Sequence, residues 1–224
     1  MSFGDKKLSE IAVSVPGSTS LLRKYDLDFC CGGSDTLANA AAEKGLNLAE
    51  IENRLTELQN SKAENPEEYW VNATYPEIID HILVRYHQRH REQLQELIVL
   101  ADRVESVHGD REDCPIGVAA ELRNVYEDLS NHMMKEEHVL FPMIKAGNYM
   151  MAQMPIRMME MEHAEHGEHL DVLKSLTNNM TPPADACNTW RALYSGIQEF
   201  ADDLMMHIHR ENNILFPRVI AENH

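Results

Sequence analysis

The chain predicts an all-α protein, an antiparallel four-helix bundle preceded by a small helical N-terminal domain. Three observations carry this. The composition favours helix over sheet, with thirteen Met, many Leu, Ala and Glu, and only 6% aromatic residues in 224. Four long stretches with apolar residues at helical spacing fill the last two thirds of the chain, separated by short loops. The second half of that region also repeats the first. His132-Met-Met-Lys-Glu136 and His207-Ile-His-Arg-Glu211 are both followed by Leu, Phe and Pro at four, five and six residues after the Glu.

The elements follow in order. A first helix over 8–13 closes at Pro16-Gly17. Ser18 or Thr19 is a candidate cap for a helix over 21–25, and Asp35 or Thr36 for one over 37–43. Gly45 ends the latter, and Asn47 caps 48–59. Residues 1–60 thus form one small domain. The polar stretch 61–75 holds Pro66, lacks periodicity and reads as a linker. The bundle spans 76–220. Its first helix, 76–107, presents Ile79, Leu83, Tyr86, Leu94, Leu97 and Ala101 as one stripe. The second is expected over 118–140 and the third over 153–177. The fourth spans 190–215, capped by Asn188 or Thr189, and the connecting loops are 109–117 and 178–186.

Composition also excludes function classes. A net charge of −17 argues against binding nucleic acid, which needs clustered Lys and Arg. No run approaches the roughly 18–20 apolar residues of a membrane span, and the N-terminus shows no secretory h-region. Four cysteines, at 30, 31, 114 and 187, do not space as a disulfide framework, so a reducing cytoplasm is the expected location.

The chemistry lies in the repeat. His87 precedes His132 by 45 residues and His163 precedes His207 by 44, while the two His/Glu pairs stand 75 apart. On a helix, residues i and i+4 share a face with Cβ atoms about 5–6 Å apart, so each pair presents an imidazole and a carboxylate to one point. One such pair in an acidic helical protein reads as a solvated surface pair. Two copies with the same tail and matched upstream histidines read as a two-metal site, because a cation offsets the cost of burying these groups together. Spacing does not choose between His87 and His90, or between His163 and His166, which share a three-residue offset. His81 shares a flank with Asp80 and is expected at the surface or behind a ligand, while His138, His169 and His209 fall off the site face and are expected at the surface. Glu162 stands beside His163, where it could orient a ligand. Imidazole with carboxylate suits iron, manganese or zinc. Two bridging carboxylates between four imidazoles favour a pair of octahedral ions with a bridging oxygen over one tetrahedral zinc. The formal charge of such a site is the same for a ferrous pair and an oxo-bridged ferric pair.

The order His…His-x-x-x-Glu…His…His-x-x-x-Glu resembles the hemerythrin-like di-iron bundle over residues 76–220. The segment Arg23-Lys-Tyr-Asp-Leu-Asp-Phe-Cys30-Cys31-Gly-Gly33 resembles the short Cys-Cys-Gly-Gly domain that precedes the bundle in the bacterial iron-sulfur cluster repair proteins. Asp80-His-Ile-Leu-Val-Arg-Tyr-His87 and Ser130-Asn-His132-Met-Met-Lys-Glu136-Glu are similar to the same group. The resemblance implies His87, His132, Glu136, His163, His207 and Glu211 as ligands of two Fe ions joined by an oxo or hydroxo bridge, with Glu136 and Glu211 bridging. Hemerythrins proper carry a further His four residues after the first ligand of the third helix. Gly167 stands there, which implies an open coordination position and argues against a simple oxygen carrier.

The implied function is repair of iron-sulfur proteins damaged by nitric oxide or peroxide, by donation of iron. Reduction of nitric oxide at the di-iron centre, and non-catalytic binding of oxygen or nitric oxide, are the competing expectations. Damaged iron-sulfur proteins are the expected partners, and a homodimer is the candidate assembly. Cys30 and Cys31 are a candidate thiol relay. A disulfide between adjacent cysteines closes a strained ring and is readily reduced. The plainer reading is two small residues at a Gly-Gly turn. Cys114 and Cys187 fall in loops with no expected role.

Overall fold

The computed structural model describes residues 2–61 and 64–222; positions 62 and 63 of the expected linker lie outside them. Among the described residues there are nine helices and no β-strand, with one isolated bridge between Lys7 and Thr36. No helix among them is long and apolar enough to cross a membrane. The chain gathers into two units, one of 1–78 with 206–224 and one of 79–205. The expected boundaries were 60 and 75, so the C-terminal stretch joins the N-terminal residues in this division.

The first unit contains α1 (Leu8–Ser14), α2 (Ser18–Lys24), α3 (Leu37–Glu43), α4 (Leu48–Asn60) and α5 (Pro66–Asn72). Leu8, Ile11, Leu22, Leu27, Phe29, Leu37, Ile51 and Leu55 are fully buried and form its core. Each such side chain contributes roughly 1.5–3 kcal/mol of transfer free energy. Thr36 and Asn47 cap as expected, accepting from the backbone N–H groups of Asn39 and Glu50. Helix α2 differs. Its N-cap is Gly17 at φ +73°, and the Ser18 hydroxyl turns inward to donate to the Ile11 carbonyl at 2.8 Å.

The segment read as a linker holds α5. Asn65 accepts from Glu67 N–H at 3.2 Å, Pro66 occupies the first turn where its missing N–H costs nothing, and Glu67 and Glu68 face the helix dipole. A helix of seven residues is too short to show periodicity, which is why only its start signal is visible in the sequence.

The second unit supplies the bundle. Helix α6 spans 75–108, beginning in the first unit, and α7 spans 118–145. Helix α8 is Tyr149–Leu176. Helix α9 spans 188–221 and passes to the first unit at residue 206. Val118, Leu122, Leu129, Ile156, Leu173, Leu193, Ile197 and Phe200 are buried between the helices. At Gly196 a Cβ would stand 2.7 Å from Leu97 Cδ2, so the absence of a side chain lets α9 approach α6.

Three of these helices widen to π geometry for one turn, at Ile82–His87, Glu136–Leu140 and Glu211–Leu215. The sequence reading ended the second and fourth helices at 140 and 215, ahead of Pro142 and Pro217. The structure instead continues helical through Phe141–Lys145 and Phe216–Ala221. Proline in a helix lacks a donor and its ring collides with the carbonyl four residues back. A widened turn immediately before it relieves both, so each proline enters the next helical segment in its first turn.

Candidate metal centre

In the second unit the wide turn of α6 ends on His87, and His132 sits in the last α turn of α7 before Glu136 opens the next wide turn. His163 comes from the middle of α8. All four are at most 1% exposed. The His87 Nε2 stands 3.3 Å and the His132 Nε2 3.4 Å from Glu136 Oε2. The Nε2 atoms of His132 and His163 are 3.1 Å apart.

The opposite ring nitrogens are engaged. His87 Nδ1 donates to Glu137 Oε1 at 2.8 Å, and Arg91 donates to the same oxygen at 2.7 Å. His132 Nδ1 donates to Glu162 Oε2 at 2.9 Å, while Lys135 Nζ donates to Glu162 Oε1 at 2.6 Å. The hydrogen bond from His87, aided by Arg91, outweighs burial and lowers the Glu137 pKa to about 2. The hydrogen bond from His132, aided by Lys135, does the same for Glu162, again to about 2. Both carboxylates are therefore ionised at neutral pH and hold a ring proton on Nδ1 of each histidine. The Nε2 atoms of His87 and His132 are left facing a carboxylate oxygen, which a neutral ring meets with its lone pair. Neither oxygen of Glu136 receives a hydrogen bond from a described donor. Acceptors facing acceptors in a buried space repel, and a cation between them turns that repulsion into coordination.

The two alternatives that spacing left open sit differently. His90 is buried beside Phe200 and Tyr86, with Nδ1 3.4 Å from Gln93 Oε1. His166 lies edge-on to His132, ring centroids 4.9 Å apart. Of the histidines expected at the surface, His138 is exposed and His81 half-buried against Tyr86. His169 is half-buried between Glu121 and Asp128, at 2.6 and 3.0 Å. His209 is a correction, since it is fully buried.

The first unit explains that burial. His209 Nε2 faces Glu67 at 3.4 Å, its Nδ1 accepts from Asn213 Nδ2 at 2.8 Å, and the edge of Phe29 covers the ring at 5.3 Å. Arg210, also buried, forms an ion pair with Glu67 and lies over Trp70. Burial alone would raise the Glu67 pKa, but the His209 hydrogen bond and the Arg210 charge lower it. In the same unit His207 Nε2 stands 3.4 Å from Glu211 Oε1, both fully buried on consecutive turns of α9.

Cys30 and Cys31 belong to this unit too. Their sulfurs are 3.8 Å apart and both thiols are free. Asp28 organises the loop by accepting from the backbone N–H groups of Cys30, Cys31 and Gly32 and from the Cys30 thiol. The hydrogen bond to Cys31 and burial raise the Cys30 pKa well above that of an ordinary thiol. A Cβ at Gly33 would lie 2.4 Å from the Phe29 carbonyl oxygen, so only glycine closes this loop. Asn213 Nδ2 donates to the Phe29 carbonyl at 2.8 Å, and Asn212 Nδ2 to the Cys30 carbonyl at 3.0 Å. Sequence reasoning passed over Asp28, Glu67, Asn212 and Asn213. The one signal was adjacency: Asp28 stands two residues before the thiols, and the amides follow Glu211 directly.

Comparison with known proteins places these features together. The hemerythrin HHE cation-binding domain matches residues 78–219, and a domain of unknown function matches residues 4–59. A probable iron-sulfur cluster repair protein of Haemophilus influenzae is 68% identical over 222 residues, covering 99% of this chain and all of the relative. The iron-sulfur cluster repair protein YtfE of Escherichia coli O81 is 55% identical over 222 residues, covering 99% of each chain. That of Musicola paradisiaca is 54% identical over 221 residues, covering 98% of each.

Proposed function

The chain belongs to the family of iron-sulfur cluster repair proteins, and on that premise we propose that it holds two iron ions and supplies iron to iron-sulfur clusters damaged by nitrosative or oxidative stress. In this reading His87, His132, Glu136, His163, His207 and Glu211 would hold the two ions, with the carboxylates of Glu136 and Glu211 shared between them. The observation that carries it is the facing of acceptors around Glu136, with the protons of His87 and His132 held on the far side of each ring by Glu137 and Glu162. The donor set fits iron, since imidazole and carboxylate are among its common ligands, and Gly167, which has no side chain to ligate, stands where hemerythrins proper carry a further His. When bound, the pair supplies one-electron redox chemistry and exchangeable ferrous iron.

The residues around the site set how firmly iron is held. Four neutral imidazoles contribute no charge, so only two carboxylates bind electrostatically, which favours release of a ferrous ion over the tight retention of a carboxylate-rich site. Glu137 and Glu162 keep the histidines in the ligating tautomer. Asp28, Cys30 and Cys31 place an oxygen and two sulfurs within 4.8 Å of one another and form the acceptor of the thiol relay. The Cys30 proton leaves as the sulfur binds metal, since a coordinated thiol is deprotonated.

The test is recovery of activity in a hydratase whose iron-sulfur cluster has been destroyed by nitric oxide. Iron-loaded protein is expected to restore it beyond an equal amount of free ferrous iron. The double variant Cys30→Ala/Cys31→Ala should keep its iron and lose most of the recovery. No recovery above free iron, with two iron ions per chain confirmed, would transfer the reading to nitric oxide chemistry at the same site.

A further inference from the structure

Cys187 is the exposed member of the four cysteines, and it does not stand alone. Cys30 and Cys114 are buried and Cys31 is half-buried. The Cys187 sulfur lies 3.3 Å from His108 Nε2. That imidazole ends the α helix Gln88–His108 and is fixed against the buried Trp190 ring, centroids 5.2 Å apart. Arg111 lies over the same indole and is anchored by Asp113 and Asp185, which secures the stack from the outside. Cys187 also immediately precedes the helix Asn188–Arg210, and its carbonyl accepts the first helical hydrogen bond, from Arg191 N–H. Cys187 is therefore the residue that opens a long helix, whose dipole favours negative charge near that end.

A nucleophile, a base within hydrogen-bond reach and a third group that orients the base are the parts of an activated thiol. We propose that Cys187 is a thiolation site, reacting with small disulfides, with His108 as its base. His108 Nε2 takes the Cys187 proton as Sγ attacks one sulfur of the disulfide. The S–S bond of the small molecule breaks and a Cys187 mixed disulfide forms. The leaving thiolate carries off the electron pair and takes its proton from the His108 imidazolium. Cys187 is oxidised, the departing sulfur is reduced, and protein thiol plus disulfide gives mixed disulfide plus free thiol. Exposure gives the incoming disulfide the access that Cys30 and Cys114 lack.

The experiment follows reaction of the full-length, iron-loaded protein with a nitrobenzoate disulfide, which releases a coloured thiolate, and maps the adduct by mass spectrometry. The expected result is one fast thiol, mapped to Cys187 and abolished by Cys187→Ser. His108→Ala should slow that phase by about a hundredfold, the low side of what a positioned base contributes, and imidazole added to the buffer should restore it. His108→Gln carries the same expectation of slowing should the alanine variant lose helicity. A fast phase on Cys30, Cys31 or Cys114, or an unchanged rate in the His108 variants, would overturn the assignment. Because the readout is thiol chemistry at 187, it is independent of the repair assay.

Discussion

Replacing Glu137 by Gln is the sharpest probe of the proposed centre, because it changes a charge while leaving the shape and every ligand in place. The Glu137 carboxylate receives Nδ1–H of His87 at 2.8 Å and a guanidinium N–H of Arg91 at 2.7 Å. The glutamine keeps one acceptor oxygen for two donors and carries no charge. The His87 bond falls from charge-assisted to neutral strength, a loss of about 1–2 kcal/mol. At 1.4 kcal/mol per decade this weakens iron at that site about 5- to 30-fold, within the range typical of groups that orient a metal-bound histidine. Glu162→Gln should act alike through His132. Competition against a calibrated ferrous chelator reads the affinity, and circular dichroism reports that the helices are intact. Glu165→Gln, an exposed carboxylate of the same helix as Glu162, serves as the control and should change nothing. Wild-type affinity in both Glu137→Gln and Glu162→Gln, with the fold intact, would refute the argument that their ligand histidines are held in a metal-binding tautomer.

Other outcomes follow from packing and charge. Glu67→Ala leaves the buried Arg210 without its carboxylate and should cost about 3–5 kcal/mol in urea denaturation, whereas a loss below about 1 kcal/mol would show that Trp70 alone suffices for the guanidinium. Burial alone would lower the His169 pKa, but hydrogen bonds to Glu121 and Asp128 raise it. Its stabilisation is thus fully present below the unfolded value of about 6.5 and is lost as pH rises through the higher folded value. His169→Gln should therefore cost up to about 1 kcal/mol at pH 6 and almost nothing at pH 9, and an equal cost at both would contradict the ion-pair account. Gly33→Ala forces a Cβ into the Phe29 carbonyl and should raise protease cleavage in the loop at 28–34, and cleavage equal to that of the wild type would contradict the tight closure.

Much of the fold was legible because its signals are local. Helix starts at Thr36 and Asn47 and the apolar stripes follow from capping and periodicity, and the twice-written His-x-x-x-Glu exposed the candidate ligands. What was hidden depended on partners distant in sequence. The burial of His209 depends on Glu67 and Phe29, roughly 140 and 180 residues earlier in the chain, and no spacing rule joins them. The wide turns were misread for a different reason. The expected helices ended at 140 and 215, yet in both copies a five-residue wide turn precedes the proline and the helix continues past Pro142 and Pro217. The shared Leu-Phe-Pro tail, noticed only as a marker of repetition, was the signal for that geometry.

The two amides that follow Glu211 give the first unit a mechanical property. Asn212 and Asn213 lie within the same widened turn as Glu211, and their side chains grip the carbonyls of Cys30 and Phe29. A turn of this kind is a slack coil in a stiff rod, the place where a helix most easily changes pitch. Any tightening of that coil on the Glu211 carboxylate would tug the thiol loop through two short rigid tethers. The backbone turn that carries Glu211 thus also holds the loop that carries the two sulfurs.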